Sequence, residues 1–99
     1  MKRIKKLTDK VKEELCGAQE YAEDYVYAKA SGDSKWSQRY AEMAKDELKH
    51  AAWLHDMAVS EVEKLEGVYE APEEMSKKWT EAHKEYVDKA AWIKQMLAM

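Results

Sequence analysis

The chain has 99 residues, a net charge of −3 and 37% charged residues of both signs. This length fits one domain with a modest core, and the mixed charge argues against a nucleic-acid-binding protein, which would carry a basic stripe. One Pro, three Gly and no Phe are typical of an all-helical protein. Cys16 is the only cysteine, which excludes a disulfide framework and fits a reducing, cytoplasmic setting. No apolar run has the length of a membrane span.

The first predicted helix runs from about residue 8 to residue 30. Thr8 suits an N-cap, and Gly32 suits the left-handed position that follows a helix. The inward stripe repeats in steps of four and three residues, as in the seam of a bundle helix, and comprises Leu7, Val11, Glu14, Ala18, Tyr21, Tyr25 and Ala28. Glu14 is the charged exception, so the pattern predicts a carboxylate at an inward position.

The second predicted helix runs from about residue 35 to residue 66. At about 100° per residue, Glu47 lies at the centre of its apolar stripe, and His50 lies about 60° to one side. The stripe also holds Trp36, Tyr40, Met43, Ala51, Leu54, Ala58 and Leu65. A buried carboxylate is usually protonated, paired or metal-bound. The Glu-x-x-His step at residues 47–50 therefore predicts either a pair of metal ligands or an ion pair.

The third predicted helix runs from about residue 72 to residue 97, after Gly67 ends the second. Its stripe comprises Met75, Trp79, His83, Tyr86, Ala90, Ile93 and Leu97. Short connections make neighbouring helices antiparallel. The sequence therefore predicts an all-α, up-down-up bundle of three helices that forms one domain over residues 1–99.

The polar members of the first two stripes are predicted to meet. When helix 1 is folded onto helix 2 at the turn near residue 33, the numbers of facing residues add to roughly 65, because both helices rise equally per residue. Glu14 then lies within about one turn of Glu47 and His50. The three side chains are expected to share one layer of the bundle.

The other two histidines are placed by folding helix 3 back onto helix 2. His83 then lies opposite His55, roughly 7 Å in height from His50. His83 is either a further ligand or a core histidine that bonds a Tyr or a Glu. His55 lies at the edge of the inward stripe, where a surface or partner-facing histidine is expected.

Outward positions offer a second set of candidates. Glu20 and Glu23 lie on the side of helix 1 away from Glu14. They form either a polar outer face or a stripe that packs on another subunit and supplies further metal ligands. Trp53 and Trp92 also fall off the inward stripes, and exposed aromatic residues of this kind mark partner surfaces.

Two segments resemble the ferritin-like family. Residues 13–21 carry Glu14, a Gly three positions later and a Tyr seven positions later, and residues 46–51 carry Glu47, His50 and then Ala. The interval of 33 residues between the two glutamates is similar to that in bacterioferritins and rubrerythrins. The resemblance covers less than half of the chain.

The resemblance implies a carboxylate-bridged di-iron or di-manganese centre, with Glu47 bridging and Glu14 and His50 terminal, that oxidises Fe(II) with oxygen or peroxide. A complete ferritin-like chain has a second Glu and a second Glu-x-x-His, which this sequence lacks. A homodimer, as in the half-size encapsulated ferritins, would supply them. Alternatively, one chain binds one iron, manganese or zinc ion with these three residues and His83. A non-catalytic helical interaction module is the remaining alternative.

Overall fold

The computed structural model describes residues 2–66 and 73–99, and all of their side chains except those at 66 and 73–75. This part of the chain forms three α-helices and no strand: α1 (Lys2–Ala30), α2 (Ser34–Glu66) and α3 (Glu73–Ala98). The molecule measures 55 × 17 × 16 Å. The all-α prediction is confirmed. The predicted boundaries at Gly67 and Pro72 lie outside the described residues.

The start of α1 differs from the prediction. The helix begins at Lys2, and Thr8 lies inside it, where its Oγ1 donates to the backbone oxygen of Ile4 at 2.8 Å. Thr8 therefore bonds the preceding turn and does not cap the helix. Ile4 and Leu7 are both buried, so the apolar stripe continues toward the amino terminus and packing lengthens the helix.

The turn between α1 and α2 has the predicted chemistry. Gly32 has a φ of 79°, a left-handed conformation that costs glycine nothing. The backbone NH of Trp36 donates to Asp33 Oδ1 at 3.0 Å, so Asp33 is the N-cap of α2. The Trp36 ring itself is 56% exposed, against the prediction that it lies inward, because it stands in the first turn at the end of the helix pair.

α1 and α2 pair antiparallel along their length. Arg3 bonds Glu61 at one end, and Glu14 contacts His50 near the middle. The numbers of the facing residues add to 64 at both contacts, which confirms the predicted register. Small residues let the two helices lie close together, and the fully buried ones are Ala18, Ala22, Ala44 and Ala51.

α3 lies against this pair and packs mainly on α1. Ala90, Ile93 and Met96 are buried in the core that α1 and α2 form. The Lys29 ammonium group donates to the backbone oxygen of Met99, so the carboxyl ends of α3 and α1 lie together. The inward positions predicted for Ala90 and Ile93 are confirmed.

Candidate metal centre

Glu14 of α1 and Glu47 and His50 of α2 converge on one small volume. Each offers one ligand atom, and these atoms all lie within 4.8 Å of one another. Glu14 Oε2 is 3.6 Å from His50 Nδ1. The prediction that the three side chains share a layer is confirmed, and we refer to them as the Glu–Glu–His group.

Gly17 provides the space that the Glu47 carboxylate occupies. A Cβ atom at Gly17 would lie 3.3 Å from Glu47 Oε2 and 3.5 Å from its Cδ. The first distance is tighter than most Cβ contacts, so a side chain at this position would displace the carboxylate. The sequence offered Gly17 only as a small residue in a family pattern, whereas the structure shows that it admits Glu47 next to the backbone of α1.

The Glu47 carboxylate holds a proton more strongly than a lone carboxylate does. The pKa of Glu47 is raised by a hydrogen bond with Glu14, by partial burial and by the Glu14 charge, while His50 acts in the opposite direction. Close carboxylates repel each other when both are ionised, and one proton between them relieves that repulsion. A divalent cation at the same place would relieve it as well.

The Glu–Glu–His group opens on the side away from α3. The His50 side chain is 48% exposed and that of Glu14 is 29% exposed. Leu48 and Leu97 of α3 line one groove, so Leu48 marks the side of α2 that faces α3. His50 follows Leu48 by two residues and therefore points about 160° away from it around the helix axis. The expected burial of this stripe therefore holds only in part: Glu47 is half-buried and His50 is exposed. Within residues 2–66 and 73–99, the group is formed by α1 and α2.

An aromatic side chain stands beside the open histidine. The Trp53 ring centroid is 5.9 Å from that of His50, and Trp53 is 59% exposed. Met57, one turn further along α2, is also exposed. Trp92 on α3 is 52% exposed, so the prediction that Trp53 and Trp92 fall off the inward stripes is confirmed.

The less central candidates lie elsewhere. Glu20 and Glu23 are exposed on α1 and do not join the group, and Gln19 donates to Glu23 at 3.1 Å. This arrangement matches a polar outer face. Cys16 is a free, exposed thiol.

His83 is not brought to the other three candidates. Its Nδ1 lies 2.8 Å from Nε2 of His55, as folding α3 onto α2 predicts. The ring is exposed and bonds a histidine, so the prediction of a core histidine that bonds Tyr or Glu is wrong. The expectation for His55 is corrected as well, because its ring is half-buried between α2 and α3. The sequence register could have revealed this pair, since it already placed the two histidines opposite each other.

The donor set fits a first-row transition metal ion. Two carboxylate oxygens and one imidazole nitrogen suit iron, manganese and zinc. With bonds of about 2.1 Å, two ligand atoms on one ion lie at most about 4.2 Å apart. The 4.8 Å span of the Glu–Glu–His group therefore requires only small rotations of side chains that are already partly exposed.

None of the helices in residues 2–66 and 73–99 is long and apolar enough to cross a membrane.

Comparisons with protein-family models, curated proteins and solved structures return no match for this chain. The resemblance to ferritin-like proteins therefore stays a prediction from the sequence. The residues that carry it are Glu14, Gly17, Tyr21, Glu47, His50 and Ala51.

Proposed function

We propose that this chain is a ferritin-like metal-binding protein that holds iron or manganese at Glu14, Glu47 and His50. One observation carries the proposal: the three side chains converge within 4.8 Å from two helices, on the side left open by α3. Gly17 supports it, because its missing side chain leaves room for Glu47. The donor set is also compatible with zinc.

The residues of the group have distinct roles in this proposal. Glu47, whose carboxylate lies next to Gly17, would hold the metal together with Glu14 and His50. The resemblance implies a bridging role for Glu47 and terminal roles for Glu14 and His50. Before binding, the proton shared by the carboxylates leaves and Nδ1 of His50 must be unprotonated, so affinity falls at low pH. Bound iron would supply electron transfer to oxygen or peroxide, with Fe(II) as the substrate, and this activity rests on the resemblance alone.

We further propose that a second copy of the chain covers the open side. The exposed His50, Trp53 and Met57 share that side of α2, and a surface of this kind is a candidate interface. A two-fold axis would bring two Glu–Glu–His groups together, so that each chain provides the ligands the other lacks. We place the protein in the cytoplasm, where the exposed thiol of Cys16 stays reduced.

A second candidate function is a helical interaction module without catalytic activity. It is favoured by large exposed aromatic side chains, which in the described part of the chain are Tyr27, Trp36, Trp53 and Trp92. In this case the Glu–Glu–His group is an ion pair with a shared proton, and the chain assembles equally well without metal. Replacing both Glu14 and Glu47 with Leu would then raise stability, because partly buried charges are removed.

Anaerobic titration of the metal-free protein with Fe(II), and separately with Mn(II), distinguishes the two candidates. We expect Glu14→Gln to weaken binding by about a hundredfold, since it removes a charged ligand. Glu13→Gln is the matched control, because Glu13 is the exposed neighbour on the same helix. Equal affinities in the two variants would reject the metal site. Native mass with and without metal then tests the dimer, which the first candidate expects metal to strengthen.

A further inference from the structure

α2 and α3 meet in a cluster of four rings, which we call the histidine clasp: His55 on α2 and Trp79, His83 and Tyr86 on α3. His55 Nε2 and His83 Nδ1 lie 2.8 Å apart. The His55 ring is nearly parallel to that of Tyr86, with centroids 4.1 Å apart and an angle of 10° between the planes. The Trp79 centroid lies 6.0 Å away at 18°. The clasp is therefore one stacked contact between two helices.

The clasp joins α2 to the part of α3 that precedes its buried residues, and Tyr86 also packs against the core. Among the α3 residues whose side chains are described, the buried ones are Ala90, Ile93 and Met96, which lie toward its carboxyl end. Trp79 and Tyr86 are half-buried, and His83 is exposed. The rings of Trp79, His83 and Tyr86 thus all contact the one imidazole ring of His55 on α2.

The hydrogen bond between the histidines tolerates one added proton but not two. In the neutral pair, one facing nitrogen donates and the other accepts. A charged His83 still donates Nδ1–H to Nε2 of His55, and such a charge-assisted bond is strong. A proton on His55 Nε2 as well removes the acceptor and places two N–H groups and two positive charges at the same short separation. That doubly charged pair has no hydrogen bond.

The surroundings of His55 offer little to compensate a second charge. Burial lowers the pKa of His55, and the nearby His83 charge lowers it further, while Asp56 on α2 acts in the opposite direction. Burial, with the Asp56 charge, raises the pKa of the Tyr86 phenol, which therefore stays neutral in this range. At this height of the helix pair, α1 presents the buried apolar side chains of Leu7 and Val11.

We propose that the histidine clasp is a pH-sensitive latch: uptake of a second proton by the His55–His83 pair releases the amino-terminal half of α3 from α2. The carboxyl-terminal half stays packed on α1 through Ala90, Ile93 and Met96. The latch is independent of metal binding, since it shares no residue with the Glu–Glu–His group.

The direction of the pH effect follows from the lowered pKa of His55. An unfolded histidine takes up its proton near pH 6.5, whereas folded His55 does so only at a lower pH. The unfolded or released form thus binds more protons in this window. The closed latch is fully stable above about pH 6.5 and loses stability as pH falls toward the pKa of folded His55. The equilibrium constant between the closed and the released form changes by at most about tenfold per pH unit.

Amide hydrogen exchange on the metal-free, full-length chain tests the latch at pH 7.5 and pH 5, after correction for intrinsic exchange rates. We expect the wild type to lose about tenfold or more of its protection over residues 76–86 at low pH, with residues 90–96 less affected. His55→Phe keeps a flat ring against Tyr86 but cannot take a proton, so its protection should not respond to pH. Glu85→Gln is the control, because Glu85 is exposed on α3 outside the clasp, and this variant should behave like the wild type.

Two results would overturn the latch. One is equal loss of protection in both halves of α3 in the wild type. The other is a pH response over residues 76–86 that survives in His55→Phe. If His55→Phe does not fold, His83→Phe gives a second test, because His83 is exposed and tolerates replacement more easily. Its pH response must be smaller than that of the wild type, because the second positive charge is absent while the burial of His55 remains; an unchanged response would overturn the latch.

Discussion

The Glu–Glu–His group and the histidine clasp each contain a histidine of α2, little more than one turn apart, in opposite surroundings. His50 faces Glu14 and Glu47, whose charges favour a cation beside them. His55 faces another imidazole and a stacked phenol, which favour a neutral ring. Five residues rotate the second histidine by about 140° around the helix axis, and this rotation exchanges an open, acidic side for a half-buried, aromatic one.

This difference shows that the face of a helix decides the chemistry of a histidine more than its neighbours in sequence do. The side of α2 that α3 leaves open can admit an ion and a partner. On the side that α3 covers, protonation can only preserve or break the contact between α2 and α3. The predictions below separate these two behaviours.

The largest expected effect is stabilisation by metal through the Glu–Glu–His group. At a metal concentration of about a hundred times Kd, the free energy of unfolding should rise by about 2.7 kcal/mol. Glu47→Gln should remove this gain, because a carboxylate of the proposed ligand set is lost, whereas His83→Phe should retain it. Thermal unfolding with and without Mn(II) measures both, and Asp46→Asn serves as the neighbouring control. An equal gain in Glu47→Gln would place the ion elsewhere.

A smaller effect should separate the two histidines in the metal-free protein. His55→Ala should lower the free energy of unfolding by about 1–2 kcal/mol, since it removes the ring stack and the hydrogen bond. His50→Ala should lower it by less than about 0.5 kcal/mol, because that side chain is half exposed. Urea denaturation gives both values. The reverse order would show that the open side, and not the clasp, supports the fold.

Gly17→Ala should affect binding more than stability. The added Cβ lies close to Glu47 Oε2, so the carboxylate must shift by a few tenths of an ångström. We expect a metal affinity about tenfold lower, because ligand position controls affinity. The free energy of unfolding of the metal-free protein should change by less than about 1 kcal/mol, since alanine favours the helix. Unchanged affinity would mean that Gly17 does not position Glu47.

The smallest effect is a difference in the sign of two pH dependences. The raised pKa of Glu47 means that its contribution to stability is full below about pH 4.5 and is lost as pH rises through the folded pKa. His55 behaves oppositely, with its contribution lost as pH falls below about 6.5. The test is the free energy of unfolding of the metal-free wild type, Glu47→Gln and His55→Phe, measured as a function of pH. The difference between the wild type and Glu47→Gln should fall as pH rises, whereas the difference between the wild type and His55→Phe should grow. Differences that change in the same direction would contradict this assignment of charges.

Much of the architecture could be predicted because it depends on local patterns. The stripe periodicity and the turn at Gly32 and Asp33 specify two antiparallel helices, and the register then places Glu14 near His50. The resemblance added Gly17, for which the structure supplies a steric reason. These features depend on one helix and its nearest neighbour.

The errors arise where coverage by a third element decides the outcome. Periodicity places Trp36 and His50 on an inward stripe. It cannot show that both side chains remain exposed because no other described element covers them. It also treats His55 as an edge residue, although α3 brings a second histidine and a tyrosine onto it. The start of α1 was misplaced because Ile4 packs on the core and carries the helix past a plausible cap.

Metal content per chain, measured by elemental analysis after anaerobic loading with iron and desalting, tests the central proposal most directly. The wild type and His83→Phe should each retain about one ion per chain, and Glu47→Gln should retain almost none. Retention of the same amount by Glu47→Gln, or no retention by the wild type, would contradict a metal centre at the Glu–Glu–His group.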